Sequence, residues 1–380
     1  MKVIGLITEY NPFHNGHIYH IREAQKMTQA DLTIAIMSGN FTQRGEASLI
    51  DKFVRAKEAV KYVDLVVELP LLNAVSYADD FALGGVHTAG LLNVDEIVFG
   101  SESGDISSLQ ALYRQNQSLQ SAPEFQQLIR KGYSHPRALA ELTQSDIISG
   151  SNNILGLSYI KAIDRLKLNI KPSTIKRIGN DYNDTTLSGT LFSSATSLRE
   201  SLLKHDFTSP RKYMPGAFVD ILSRSVLITN ENFFDSLKLL ITHKSETELR
   251  QIYMMTEGIE NRLKTYIRQS KTYREFLQNI KTKRYTWTRL NRLMIYILIN
   301  ITKEKMHLYK TEENQHVRVL AMNGRGRKYL KTLPETTSVI TNVNKENREF
   351  VYDEITAADL YNIASHSERN DFNTPVIIDP

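Results

Sequence analysis

The sequence predicts an α/β protein: a doubly wound parallel sheet followed by a mainly helical C-terminal region. Three observations carry this. In the first hundred residues apolar runs of strand length alternate with segments of helical spacing, and a β-α-β-α order implies parallel strands joined by right-handed crossovers. The first apolar run leads at once into a turn and a His-x-Gly-His that opens a helix. Beyond about residue 208 the apolar spacing becomes largely helical and the charge turns basic.

Strands are expected at Val3–Thr8, Leu32–Met37, Leu65–Leu69 and Glu96–Gly100, and helices at Gly16–Thr28, Lys52–Tyr62 and Asp79–Leu92. In the first helix Ile18, Ile21, Ala24 and Met27 recur every three residues along one face. Residues 104–150 are polar with helical character and read as an insertion. Ile148 to Gly156 reads as a loop feeding a helix from Leu157 to Leu166. Ile175-Lys176-Arg177-Ile178, after Lys171-Pro172, reads as a later strand, and Asn180 to Gly189 as a polar loop. Ser209-Pro210 and Met214-Pro215-Gly216 punctuate a boundary, so that residues 1–208 form one domain and 209–380 a second region. In that region Phe218–Leu227, Glu246–Ile267, Tyr273–Asn279 and Thr288–Ile301 carry helical spacing. From Val317 onward the pattern is mixed, with Val339-Ile340 and Val376-Ile377-Ile378 as short strands.

Composition excludes several classes. The 380 residues hold no cysteine, which rules out disulfides and thiolate metal sites. Met1-Lys2-Val3-Ile4 runs directly into the first strand, so no signal peptide is expected. The longest apolar stretch, Leu293 to Ile299, falls short of the roughly 18 residues a membrane span needs. A cytoplasmic protein without membrane contact is the expectation. The net charge is +5, but between Asn261 and Lys310 thirteen Lys or Arg face only Glu275 and Glu304, a local +11 that leaves about −6 elsewhere. Such segregation suits a polyanion. Arginines (Arg262, Arg268, Arg274, Arg284, Arg289, Arg292) are interleaved with Tyr266, Tyr273, Phe276, Tyr285 and Trp287, a combination fit for RNA phosphates and bases. The plainer reading is a solvated helical face.

The chemistry concentrates at Asn11-Pro12-Phe13-His14-Asn15-Gly16-His17. It lies at the carboxyl end of the first strand, where an open α/β sheet places its ligand. Unpaired N–H groups at the helix N-terminus attract phosphate. Gly16 permits close approach, and His14 and His17 can donate to the α-phosphate as charge builds there. Alternatively, one histidine caps the turn and the other packs in the core. Asp79-Asp80 reads either as a magnesium or amine site or as a helix-start pair complementing the dipole.

The first motif resembles that of the HIGH superfamily of nucleotidyltransferases and class I synthetases, and the sheet is accordingly expected to be of the HIGH nucleotidyltransferase type. The superfamily's second motif, near I-S-S-T-x-I-R, has a counterpart in Phe192-Ser193-Ser194-Ala195-Thr196-Ser197-Leu198-Arg199, with Ala195 inserted before Thr196 and Leu198 in place of isoleucine. Ser193 and Ser194 also suit a helix N-cap, while Arg199 can grip phosphate bidentately. A lysine-rich K-M-S-K form is absent, unlike in the synthetases. Gly5 to His17, Met37-Ser38-Gly39-Asn40-Phe41-Thr42-Gln43-Arg44-Gly45-Glu46, Asn152-Asn153-Ile154-Leu155-Gly156 and Tyr285-Thr286-Trp287-Thr288-Arg289-Leu290 together resemble the family of tRNA(Met) cytidine acetate ligases along nearly the whole chain.

That resemblance implies a ligase that activates acetate with ATP as acetyl-adenylate. The acetyl group then passes to the N4 amine of the wobble cytidine of elongator tRNA(Met), giving N4-acetylcytidine. It implies ATP as substrate with Mg2+ accompanying it, acetate and elongator tRNA(Met) as partners, and neither DNA nor membrane. His14 and His17 become the catalytic pair. The implied ATP site runs through Ile7, Thr8, Glu9, Tyr10, Asn11, Pro12, Phe13, His14, Asn15, Gly16, His17, Ile18, Tyr19 and His20. It continues with Gly100, Asn152, Arg177, Ser193, Ser194 and Arg199. Gly100 also reads as a turn glycine, Asn152 as an N-cap and Arg177 as a surface ion-pair residue. Asn40 and Arg44, after the second strand, are looser candidates for acetate or phosphate. Lys281, Lys283, Arg284, Arg289 and Arg292 would hold the tRNA, and no residue is assigned to a metal. Residues 1–208 then form the nucleotide-binding catalytic domain and 209–380 the tRNA-binding region. Competing functions are a nucleotidyltransferase acting on a small metabolite and a non-catalytic RNA-binding protein.

Overall fold

The structure is a computed structural model that describes residues 1–133, 135–143, 150–177, 192–256, 258–311 and 314–380. In chain order the first half runs β1 (Val3–Thr8), α1 (Asn15–Thr28), β2 (Leu32–Ser38), α2 (Lys52–Ala59), β3 (Leu65–Leu69), α3 (Leu71–Ala74), α4 (Ala78–Leu91), β4 (Glu96–Ser101), α5 (Ile106–Gln120), α6 (Pro123–Arg130), α7 (His135–Thr143), α8 (Ser151–Leu166), β5 (Lys171–Lys176) and α9 (Ala195–Leu203). The second half runs α10 (Gly216–Ser223), α11 (Phe234–His243), α12 (Glu246–Gln251), α13 (Ile259–Gln269), α14 (Tyr273–Ile280), α15 (Trp287–Ile299), α16 (Lys303–Thr311), β6 (His316–Met322), α17 (Gly324–Leu330), β7 (Ser338–Ile340), α18 (Tyr352–Ser365) and β8 (Ile377–Ile378).

One sheet holds all eight strands, in the order β5-β4-β1-β2-β3-β6-β7, with β8 beside β6. β1 pairs in parallel with both β2 and β4. The chain therefore winds outward through β2 and β3 on one side and through β4 and β5 on the other. The reversal opens a crevice at the carboxyl ends of β1 and β4, where such sheets bind ligands. Alternate residues feed two cores. Ile4, Leu6, Ala35, Met37 and Val66 pack with α1 and α2, while Ile34, Ile36, Leu65, Val67 and Ile97 pack with α4 and α8. A third core is built from α11 to α15. Among the described residues no helix is long and apolar enough to cross a membrane.

The C-terminal region is mainly helical, but it also returns to the sheet. β6 runs antiparallel to β3 and carries β7 and β8 parallel to itself. A buried ion cluster reinforces this return: Lys52 Nζ lies 2.9 Å from Glu68 and 3.0 Å from Asp371.

Several boundaries differ from the expected ones for identifiable reasons. On α1, Ile21, Ala24 and Thr28 are buried whereas Met27 is 48% exposed; a strict spacing of three drifts off a face of period 3.6. α8 begins at Ser151 rather than Leu157, because the Glu102 carboxylate accepts the first-turn N–H groups of Asn152 and Asn153 at 3.1 and 2.7 Å. This long-range cap favours helix over the local loop preference of Ser-Asn-Asn. β5 starts at Lys171 and includes Pro172, which an edge strand tolerates. Ile178 and the Asn180–Gly189 loop lie outside the described residues. The expected helix from Glu246 to Ile267 is two helices, with Met254 at φ 66° and Gly258 at φ 73° between them.

Candidate nucleotide site

A cavity of about 300 Å³ occupies the crevice at the ends of β1 and β4. β1 ends at Thr8, and Tyr10, at φ 49°, turns the chain away from the sheet before the cis Asn11–Pro12 bond. Asn11 pins this turn by accepting the Leu49 N–H at 2.8 Å on its Oδ1. Tyr10 is buried and sets its ring edge-on to Phe13 and His17, both at 4.9 Å. The chain then enters α1 through a capping box made by two histidines. His14 Nδ1 accepts the Gly16 N–H at 3.0 Å, and His17 Nδ1 accepts the His14 N–H at 3.2 Å.

These bonds decide what the site offers an anion. The Asn15 N–H goes to the Tyr213 carbonyl at 2.7 Å, the Gly16 N–H to His14 and the His17 N–H to the His14 carbonyl at 2.8 Å. The first-turn N–H groups are therefore spent inside the protein, contrary to the expectation that they would await phosphate. With each Nδ1 accepting, a neutral imidazole carries its proton on Nε2. Burial, with Arg177 and Arg199 nearby, lowers the His14 pKa to about 3. Burial and the adjacent His14 hold His17 well below its usual range. The pair thus offers neutral Nε2–H donors rather than two cations. His14 is a cap, and both histidines line the cavity.

Of the expected ATP segment, Ile7, Thr8, Glu9, Tyr10, Asn11, His14, Gly16, His17, Tyr19 and His20 line the cavity. Four others face away from it. Phe13 is fully buried against Tyr62, at 5.3 Å between rings. Pro12 is buried in the turn. Asn15 donates from its side chain to the Lys212 carbonyl at 3.1 Å. Ile18 packs on the sheet core.

The distant candidates converge. Gly100, Asn152, Arg177, Ser193, Ser194 and Arg199 all line the same cavity. A Cβ on Gly100 would come within 3.2 Å of Arg177 Cγ, so the glycine makes room for this arginine at the sheet edge. Arg177 donates to Asn152 Oδ1 at 3.3 Å, and Asn152 donates to Glu102 Oε1 at 2.8 Å. Asn152 is not the N-cap of α8, a place taken by Gly150. Ser194 does cap α9, accepting the Ser197 N–H at 3.0 Å. Arg199 donates to the Asn11 carbonyl at 2.9 Å and sits 3.6 Å from Glu46, so the second motif is docked directly onto the first.

Two further residues shape the site: Glu102, in the Ser101-Glu102-Ser103-Gly104 loop that the sequence marks as a candidate ligand contact at a strand end, and Arg55, which sequence reasoning missed. Glu102 accepts the N–H groups of Asn152 and Asn153, at 3.1 and 2.7 Å. Burial opposes its ionisation, but the hydrogen bonds from Asn152 and Asn153 outweigh this and keep it below the usual carboxylate range. Arg55, fully buried on α2, donates from Nε to the Ile50 carbonyl at 3.1 Å and from Nη1 to the Glu9 and Ser38 carbonyls at 2.6 and 3.1 Å. Its Nη2 donates to the Gly39 carbonyl and to Ser48 Oγ. All five guanidinium donors are thus spent, three on the ends of β1 and β2 at Glu9, Ser38 and Gly39 and two on the loop before α2 at Ser48 and Ile50. Arg55 stands in no local motif.

The remaining candidates are placed as follows. Arg44 lines the cavity. Asn40 is buried and accepts the Lys52 N–H at 2.7 Å, a structural role. Asp79 pairs with Lys161 and Asp80 with Lys310, each at 2.6 Å, consistent with the helix-start reading. Among the described residues no three His, Asp or Glu side chains stand together as a metal site. In the basic segment, Tyr273, Phe276 and Tyr285 are core residues while Trp287 is 49% exposed, so most interleaved aromatics serve packing. Lys281 lies 5.7 Å from the Trp287 ring, and Lys283 and Arg284 are exposed. Arg289 stacks over Tyr285 at 4.6 Å and donates to Thr256 Oγ1 at 2.7 Å. Arg292 corrects expectation: it is buried, lies 4.9 Å over the Tyr77 ring and donates from Nε to the Gln43 carbonyl at 2.6 Å.

Comparison with known proteins agrees with this geometry. Residues 1–374 match the family described as HIGH Nucleotidyl Transferase. A Staphylococcus aureus (strain MRSA252) protein named tRNA(Met) cytidine acetate ligase is 42% identical over 382 residues, covering 99% of both chains. The crystal structure of Thermotoga maritima TmcAL in its apo form I superposes with a TM-score of 0.90 at 33% identity, over 100% of this chain and 99% of that one. The Thermotoga maritima TmcAL structure bound with alpha-thio ATP superposes with a TM-score of 0.88 at 32% identity, again over 100% and 99%.

Proposed function

Since the chain belongs to the HIGH nucleotidyl transferase family, we propose that it is an ATP-dependent tRNA(Met) cytidine acetate ligase working in the cytoplasm. The observation that carries this reading is one cavity lined by His14 and His17, whose occupied Nδ1 atoms leave neutral Nε2–H donors, together with Arg177 and Arg199.

Acetate does not acylate an amine because its oxygen is a poor leaving group. Transfer of AMP to acetate replaces that oxygen by a phosphate. Acetate oxygen attacks the α-phosphorus of ATP, the bond to pyrophosphate breaks, and acetyl-adenylate results. His14 and His17 donate to the α-phosphate oxygens as charge accumulates on them. Neutral donors can serve this step, since their hydrogen bonds strengthen as charge develops on the phosphate oxygens in the transition state. Arg199 with Ser193 and Ser194 holds the departing pyrophosphate, and Gly100, Asn152 and Arg177 hold the nucleoside end. A Mg2+ accompanying ATP would be carried chiefly by phosphates and water, as this ion commonly is. The wobble cytidine amine then attacks the acetyl carbonyl and AMP leaves. Lys281, Lys283, Arg284 and Arg289 are the tRNA-facing residues of region 209–380, whereas Arg292 serves the region's attachment to the catalytic domain of residues 1–208.

The test is incubation of the protein with ATP, radiolabelled acetate and unmodified elongator tRNA(Met), each omitted in turn. Label in tRNA only with ATP present, mapped to the wobble cytidine as N4-acetylcytidine, is the expected result. Release of pyrophosphate only with a small phosphorylated metabolite would favour a metabolite nucleotidyltransferase. RNA binding without ATP turnover would favour a non-catalytic binder.

A further inference from the structure

Among the described residues that line the cavity, Glu9 is the one carboxylate. Its position is determined from three sides. It follows the last residue of β1, its carbonyl accepts from Arg55 at 2.6 Å, and its Oε1 accepts the Gln43 N–H at 2.7 Å. A carboxylate repels the triphosphate of ATP and repels acetate, so its charge suits neither of the groups that react in adenylation. The remaining reactant, an exocyclic amine, must lose a proton to become an amide. The other carboxylates nearby are committed elsewhere: Glu46 pairs with Arg199, and Glu102 caps α8. The cavity histidines are poor proton acceptors. Nδ1 of His14 and of His17 is occupied by a backbone N–H, and burial lowers the His20 pKa to about 4, which makes that ring a weak base.

We propose that Glu9 is the general base for acetyl transfer, accepting the proton from the cytidine N4 amine. This rests on the ligase reading given above. The N4 lone pair attacks the acetyl carbonyl carbon and a C–N bond forms. The nitrogen's proton passes to the Glu9 carboxylate, the C–O bond to the phosphate breaks, and AMP departs with that electron pair. Glu9 then releases the proton to solvent. The base is also coupled to the tRNA-facing region, since Gln43, whose N–H fixes Glu9, accepts Arg292 of α15 on its carbonyl. The amine therefore enters on the side bounded by Gln43 and Arg44, both of which line the cavity.

The electrostatic surroundings support the role. Burial raises the Glu9 pKa; the Gln43 hydrogen bond opposes this, the neighbouring Glu46 adds to it, and Arg199 and Arg44 counter it, with a net rise. Tyr159, Arg55 and Arg292 also face it. A raised carboxylate is a stronger base.

The experiment separates the two half-reactions for wild type, Glu9→Gln and Glu9→Asp. Acetate-dependent exchange of labelled pyrophosphate into ATP reports adenylation, and single-turnover label transfer to tRNA reports acetyl transfer. Glu9→Gln is expected to keep tRNA binding intact and to lower exchange far less than transfer, since Glu9 also lines the nucleotide cavity. It is expected to lose transfer by about 10²–10⁴-fold, together with the rise of transfer rate with pH expected of wild type. Glu9→Asp is expected to recover part of the transfer. Wild-type transfer by Glu9→Gln, or equal loss of exchange and transfer, overturns the proposal; the latter would place the carboxylate in adenylation. Absence of acetate-dependent exchange in wild type would instead overturn the ligase reading, whatever the variants do.

Discussion

His14 and His17 stack with ring centroids 3.8 Å apart and planes inclined by 28°, each ring locked by a backbone N–H on Nδ1. This arrangement aims two Nε2–H donors from a single helical turn. Replacing His17 by Ala is expected to slow adenylation about 10²–10³-fold, the usual effect of losing one such donor. His14→Ala also removes a helix cap, worth about 1 kcal/mol, whereas His14→Asn keeps a capping oxygen and isolates the catalytic loss. Pyrophosphate exchange measures the first effect and urea unfolding the second. Retention of tRNA binding in all three variants is expected.

The same burial makes stability depend on pH. His14 and His20 have folded pKa values of about 3 and about 4, and His17 is also depressed, against about 6.5 in an unfolded chain. Between these values the unfolded state binds more protons, so stability is full above about pH 6.5 and declines as pH falls toward the folded values. A His17→Gln variant is expected to show a shallower loss of melting temperature between pH 7 and pH 4.5 than wild type. An equal slope would contradict the assignment of a buried neutral ring.

Arg292 and Gly45 form the seam between α15 and the catalytic crevice. Gly45 has φ 73°, and a Cβ there would lie 2.3 Å from the Arg292 backbone nitrogen. Gly45→Ala is therefore expected to push the loop of Gln43 and Arg44 off α15. Both Gly45→Ala and Arg292→Ala should reduce acetyl transfer more than pyrophosphate exchange, because the loop positions the tRNA-facing side of the cavity. Arg292→Ala should leave the salt dependence of tRNA binding unchanged, since the side chain is buried.

Surface cations behave in the opposite way. Charge reversal at Lys283 or Arg289 is expected to weaken tRNA binding while leaving adenylation within about twofold. Each lost phosphate contact should reduce the slope of log affinity against log salt by about 0.7–0.9. Filter binding from low to moderate salt measures this, and an unchanged slope would remove these residues from the interface.

Arg55→Lys tests the clamp beneath the site. Lysine has three donors where arginine uses five, so carbonyls at the ends of β1 and β2 lose partners inside the protein. A destabilisation of about 2–4 kcal/mol is expected from buried acceptors left unpaired, read from the urea midpoint. The loss should be accompanied by weaker ATP binding, because the Glu9 and Gly39 carbonyls mark the crevice edge.

What could be read from the chain was local. β1, β3 and the first motif are legible because strand runs, a proline turn and a glycine at a helix start each act within a few residues. Gly100, Asn152, Arg177 and Arg199 were reachable by resemblance, and the fold brings them to one cavity. Other features depend on partners far away in sequence. Met27 and Thr28 exchange places because helical pitch, not residue type, selects the buried face. Tyr273 and Tyr285 look like base-stacking residues until the third core encloses them. Arg292 looks like a phosphate ligand until it meets Gln43, 249 positions away. The sequence by itself determined the strand–turn–helix that opens the site, the helical character of the second half and the separation of charge, since these follow from short-range periodicity and composition. Only the tertiary structure decided that β6 returns to the first sheet, that backbone N–H groups are spent and imidazoles take their place, and which cations face outward. Each of these depends on burial, and burial is a property of surfaces that meet only after the chain has folded.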